Sequence, residues 1–289
     1  MKEINLDHIT KIEGHADLTV KVEDGKPKEV KLAVVEGARF FEGMAKGRDC
    51  KSIHLLVQRI CGICSVSHTL ACLKAVEDAL GIDVSEQTQK LRELMEIGAH
   101  IQSHSLHLYL LALPDYLGYD SALEMAKDYK QEVLRGLRLK KLGNEIDRVI
   151  GGRIMHPVAT AMGGFHKLPS DTDLAKLLRE MQKARADAQK TVELFASLTY
   201  PRFKRLTEYV CLKGEGSYPL ISGDILFSNG TTAKQAEYLK HLKEQVRSYS
   251  TAKFSSYEKR SYYVGALARI NNSTDLLHPA AKRSMEKND

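Results

Sequence analysis

Residues 85–115, SEQTQKLRELMEIGAHIQSHSLHLYLLALPD, decide the fold class. Leu91, Leu94, Ile97, Ile101 and Leu108 recur near helical spacing, so one long amphipathic helix is expected over 85–113, with Pro114 stopping it. Outward from this stretch the same period continues. Residues 121–150 read as a second helix that ends at Gly151-Gly152. Ser170-Asp171 can cap a third over 171–198. Residues 50–80 hold one or two helices around a Cys61/Cys64 turn, ending before Gly81. A further helix is expected over 233–247, after a Gly- and Tyr-rich stretch of loop and short strands over 200–232.

The N-terminal region follows a different period. Alternation in ADLTVKV (16–22) and EVKLAVV (29–35), joined by Glu23-Asp24-Gly25-Lys26, predicts an antiparallel hairpin within residues 3–36. No internal repeat and no Gly/Ser/Pro-rich linker interrupts the chain. The expected class is therefore mainly α (α+β): a long-helix bundle core with an N-terminal antiparallel β-hairpin region. One domain is expected over 1–289, β-rich over 1–45 and mostly helical over 46–289.

Composition excludes several functions. Apolar residues at 43% are too many for a disordered chain. The 43 basic and 37 acidic residues are interleaved rather than gathered into a patch, and tryptophan is absent. The densest basic run, Arg135 to Lys141, reads as a solvated helix face, so no nucleic-acid partner is expected. No apolar run approaches the ~20 residues that span a bilayer. MKEINLDHITK has no signal-peptide core. With five irregularly spaced cysteines, these features point to a reducing cytoplasmic setting.

The chemistry gathers in Arg59-Ile60-Cys61-Gly62-Ile63-Cys64-Ser65-Val66-Ser67-His68. Two cysteines separated by two residues can bring both sulfurs to one metal ion. SVSHTLACLKAVEDAL reads as a helix, which places Cys64 near a helix N-terminus, where the dipole favours thiolate. His68 lies one turn further on the same face, and Arg59 adds positive charge. Three readings stay open for such a pair: a zinc site, a thiol-redox pair and a structural pair. Zinc would need two more ligands, which Cys50, Cys72 and Cys211 do not supply as a second pair. A thioredoxin-like pair would need an α/β alternation that is not present.

RICGICSVSH resembles the N-terminal cysteine motif of nickel–iron hydrogenase large subunits. Five further blocks resemble that family in the same order: KIEGH (11–15); EGARFFE (36–42) followed by Gly47-Arg48; HIQSHSLHLYLLALPD (100–115); Gly151-Gly152-Arg153 with His156-Pro157 and Gly163-Gly164; and YSTAKFSSYEKRSYYVGALARINN (249–272). The last resembles the cytoplasmic, sulfhydrogenase-like and NAD(P)-coupled branch. The related quinone-reductase subunit of respiratory complex I lacks the cysteine pair. The family's second pair, in an Asp-Pro-Cys-x-x-Cys motif near its C-terminus, has no counterpart after residue 270. An upstream block with an arginine near the metals is also missing. The resemblance thus implies a C-terminally truncated member.

The resemblance implies reversible heterolytic cleavage of H2. Cys61 would be a terminal nickel ligand and Cys64 a nickel–iron bridge, with carbon monoxide and cyanide on the iron. Glu13 matches the proton-relay glutamate, and partial burial would tune its carboxylate for that role. Glu42 matches a magnesium position. Arg59, His68 and Asp115 would form the polar wall around the metals. His100, His104 and His107 have no role in the family and read as packing or surface residues, while Arg153 and His156 would organise the structure or an interface. An iron–sulfur small subunit would remove electrons, passing them to flavin and NAD(P) subunits. This chain alone is expected to be inactive. The rival functions are a non-catalytic truncated scaffold for electron-transfer subunits, and a zinc or thiol-redox protein.

Overall fold

The computed structural model describes residues 2–288. The chain gathers into two compact units. The first comprises residues up to Lys46, Arg205–Gly214 and Gly223–Thr274; the second comprises Gly47–Lys204, Glu215–Ser222 and the residues from Asp275 on.

The first unit opens with three antiparallel strands, β1 (Lys2–Leu6), β2 (Ala16–Glu23) and β3 (Lys26–Val34). The expected hairpin is β2–β3. Its turn puts Asp24 and Gly25 at φ 52° and 73°, the left-handed pair that a two-residue turn between twisted strands requires. Further strands follow: β4 (Glu208–Leu212), β5 (Ile225–Phe227), β6 (Thr232–Ala233), β7 (Leu242–Val246), β8 (Lys253–Tyr257) and β9 (Tyr262–Tyr263). They form a sheet in the order β9-β4-β5-β6 and a β7–β8 ribbon. Val210, Phe227, Ala233 and Tyr257 are its buried core, and the Phe227 and Tyr257 rings stack at 4.3 Å.

The helix expected over 233–247 is not formed. One helical turn, Tyr238–His241, gives way to β7, in which Leu242 pairs with Tyr257 and packs on that core. The apolar contact of a single residue outweighs the helical propensity of KEQ, as tertiary context commonly does.

The second unit is a helix bundle. Its long members are α1 (Ser65–Leu80), α2 (Glu86–Leu106), α3 (Lys130–Gly151) and α4 (Asp171–Ala196). Val66, Leu70, Met95, Ala99, Ile146, Ile150 and Leu177 bring one buried face from each helix into a common core. Sequence fixes the ends: Ser85 and Ser170 accept backbone N–H groups of Thr88 and Asp173, and Gly81 closes α1 at φ 64°. The α2–α3 crossing is close because Gly143 of α3 faces the backbone of Gly98 and Gln102.

Two expectations need correction here. Pro114 does not stop its helix. A π-helical turn, His107–Ala112, precedes it, and α-helix resumes over Leu113–Leu117. The wide turn accommodates a residue with no N–H to give. It also seats Tyr109 and Leu113 in a second core with Met125 and Leu139. The helix expected over 121–150 is split. A short turn of helix, Ala122–Met125, is capped by Ser121, and the chain bends before α3 begins at Lys130.

Candidate metal-binding site

The cysteine turn lies in the second unit, between a short helical segment (Ile53–Val57, then a 3-10 turn Gln58–Ile60) and the start of α1. Cys61 is extended and buried; Cys64 is the N-cap of α1 and half-buried. Their Cα atoms are 5.5 Å apart and their sulfurs are in direct contact. The Cys64 N–H points at Cys61 Sγ, 3.1 Å away. That N–H, together with the helix N-terminus, favours negative charge on sulfur.

Three residues hold the turn. Gln102 of α2 donates to the Ile63 carbonyl between the cysteines (2.9 Å). His156 grips both flanks: its N–H donates to Ser65 Oγ (3.0 Å), and its Nδ1 lies 3.1 Å from the Gln58 carbonyl, a contact that requires the Nδ1–H tautomer. Thr69 Oγ1 donates to the Ser65 carbonyl and meets Gln58 Oε1. His156 adopts φ 56°, a conformation that a non-glycine residue holds when its surroundings impose it.

Toward the C-terminal end of α1, Arg92 and Glu77 form a buried bidentate pair (2.8 and 2.7 Å). Arg92 also donates to the Ala161 carbonyl, and Gly163 N–H donates to Glu77, which pins the 152–165 segment. Burial alone would raise the Glu77 carboxyl, but Arg92 and the Gly163 N–H outweigh it and hold it below its ordinary value.

Of the other expected site residues, His68 is half-buried one turn along α1, and burial lowers its pKa. Arg59 is exposed at the mouth of the turn and contributes, after burial, to lowering His156. Asp115 is exposed in the Leu113–Leu117 helix. Glu13 and Glu42 belong to the first unit. Glu13 is exposed in the bend before β2, so its own unit does not supply the burial expected of a relay. Glu42 is held by Arg39 (3.1 Å) and Lys253 (3.2 Å), whose hydrogen bonds lower its pKa. Sequence reading missed Gln58, Gln102, Arg92 and Glu77. The one available signal was their position on apolar helix faces.

Two soft sulfur donors at one point fit nickel or iron. Among the described residues no group of three or more His, Cys, Asp or Glu could enclose a metal, so a closed four-ligand zinc site is not assembled from them.

Comparison with known proteins identifies the family. Residues 39–134 match the model of the nickel-dependent hydrogenase family. The chain is similar to the alpha subunit of sulfhydrogenase 1 from Pyrococcus furiosus, 40% identical over 99% of this chain and 67% of that protein. The alpha subunit of sulfhydrogenase 2 from the same organism is 37% identical over 98% and 66%. The fold superimposes on an NAD+-reducing NiFe hydrogenase in the H2-reduced state with a TM-score of 0.89, at 27% identity, covering 99% of this chain and 70% of that one. This chain belongs to the nickel-dependent hydrogenases, as a large subunit. Among the described residues no helix is long and apolar enough to cross a membrane.

Proposed function

We propose that this chain is the large, H2-splitting subunit of a nickel–iron hydrogenase, of the sulfhydrogenase-like, NAD(P)-coupled branch. The observation that carries this reading is the Cys61–Cys64 turn, with both sulfurs at one point on a family-matched segment. A bound nickel–iron pair would supply the redox-active pole for H2 cleavage. Cys61 and Cys64 would hold it, together with the two further thiolates that the family resemblance implies.

The chain's own residues then act on the proton. With the metals bound, the Cys61 thiolate would be the group that accepts the proton, and the Cys64 N–H and the α1 N-terminus beside it favour that thiolate. Gln102 and His156 fix the turn, which keeps that sulfur's position and hydrogen bond constant as its charge changes. Glu13 is assigned as the proton carrier, and Arg59, His68 and Asp115 as polar neighbours, by family resemblance. Carbon monoxide and cyanide on iron rest on the same ground. So does magnesium at Glu42, where two cations already engage the carboxylate.

An iron–sulfur small subunit would carry electrons away, and flavin and NAD(P)-binding subunits would receive them in the cytoplasm. The test is H2-dependent dye reduction by the assembled enzyme. Cys61→Ser and Cys64→Ser should each abolish turnover while leaving the helical circular dichroism intact. Turnover retained in either variant, or turnover by the 289-residue chain alone, would overturn the reading.

A further inference from the structure

Asp147 lies on α3 against α2 and is 1% exposed, yet neither of its carboxylate oxygens has a hydrogen-bond partner. Glu96 of α2, 5% exposed, presents the complementary defect. Its Oε1 accepts from Ser67 Oγ at 2.7 Å and lies 3.4 Å from His100 Nδ1, while its Oε2 is buried with no partner. Space for the Asp147 carboxylate exists because residue 98 is glycine; a Cβ there would stand 2.7 Å from Asp147 Oδ1.

Among the described residues no cation pairs with Asp147. Arg92 of α2 is spent on Glu77 and the Ala161 carbonyl, and Arg148 of α3 on Glu145. Helix α1 offers Ser67 and His68, the latter with its pKa depressed by burial. Helix α4 meets this core with Leu174, Leu177 and Met181. Burial first, then the charge of Glu96, raises the Asp147 carboxyl to about 8.

Two buried carboxylates with three idle oxygens, and with only the His100 imidazole beside one of them, are costly as two anions. A single proton between them removes one charge and joins two of the three idle oxygens in a hydrogen bond. We propose that Glu96 and Asp147 share one proton and form a buried, singly charged proton-holding site between α2 and α3. Ser67 bonds this pair and sits on the first turn of the helix that Cys64 caps. The site is independent of the hydrogenase reading and needs no metal.

The test uses infrared spectroscopy and equilibrium unfolding of the full chain. At neutral pH the wild type should show a protonated-carboxyl carbonyl band that shifts in D2O and fades as the pH rises through about 8. Asp147→Asn should lose that band, because its amide donates to Glu96 in place of the shared proton. The sign of the stability effect is fixed. The folded state keeps a proton that the unfolded Asp, with its ordinary value of 3.8, has released, so raising the pH favours unfolding between these two values. The ratio of wild-type to Asp147→Asn unfolding constants should therefore climb about tenfold per pH unit from about pH 5 to about 8. A ratio that stays flat, or no protonated-carboxyl band in the wild type at neutral pH, would overturn the proposal. The wild-type band decides the matter if the variant fails to fold.

Discussion

Replacing Gly143 by alanine should destabilise the second unit, and the size can be worked from the α2–α3 crossing. A Cβ at residue 143 would stand 2.5 Å from the Gln102 nitrogen, 2.5 Å from the Gly98 oxygen and 2.7 Å from Gln102 Cβ. Ordinary contact begins near 3.4 Å, so the helices must part by about 0.9 Å. Two of the three struck atoms are backbone and cannot rotate away. Met95, Ala99, Ile146 and Ile150, none more than 5% exposed, would be pulled apart with them. Overpacking typically costs about 1–3 kcal/mol, and a backbone collision belongs at the upper end. Alanine's better helix propensity returns about 1 kcal/mol. The net loss is about 2 kcal/mol, or roughly 30-fold in the folding constant. Urea unfolding followed by circular dichroism should show a midpoint lower by about 1 M. Gly43 is the control. It sits in the Phe40–Ala45 helix with nothing within 4 Å of an added Cβ, so Gly43→Ala should be neutral or slightly stabilising. A Gly143→Ala midpoint equal to or above wild type would refute the packing argument.

Arg92→Met leaves Glu77 buried without its partner and should cost about 3–5 kcal/mol in the same unfolding assay. Adding Glu77→Leu should recover much of that loss; a double variant as unstable as the single one would contradict it. His156→Ala removes the Nδ1 bond to the Gln58 carbonyl and leaves the backbone N–H to Ser65 Oγ in place, so the reduced thiols should be alkylated about fivefold faster with helical content unchanged. Equal alkylation rates would remove His156 from its positioning role.

The fold was legible where local chemistry is self-sufficient. The Asp24-Gly25 turn, the Ser170 cap and the Gly81 stop each announce an element by residues that touch only their own neighbours. Residues 242–246 were misread as helix because strand pairing with residues 253–257 is decided some ten residues away. Pro114 was misread because the π-helical turn that accommodates it leaves no mark on the apolar spacing. Of the candidate site, Cys61 and Cys64 stood out by spacing alone. The residues that hold them did not: Gln102 and Gln58, like the buried Glu77, Arg92, Glu96 and Asp147 elsewhere in the bundle, are ordinary polar letters in a helical pattern, and their burial depends on which helix faces them. His156 was read as a structural organiser, and its place across the cysteine turn explains how it organises.

X-ray absorption at the nickel edge of the assembled enzyme, wild type beside Cys61→Ser, puts the paired sulfurs to the test. If Cys61 and Cys64 hold nickel, the wild type shows a sulfur-rich nickel shell, and the variant shows fewer sulfur neighbours or little nickel at all. An unchanged sulfur shell in Cys61→Ser, or stoichiometric zinc in place of nickel in the wild type, would contradict it.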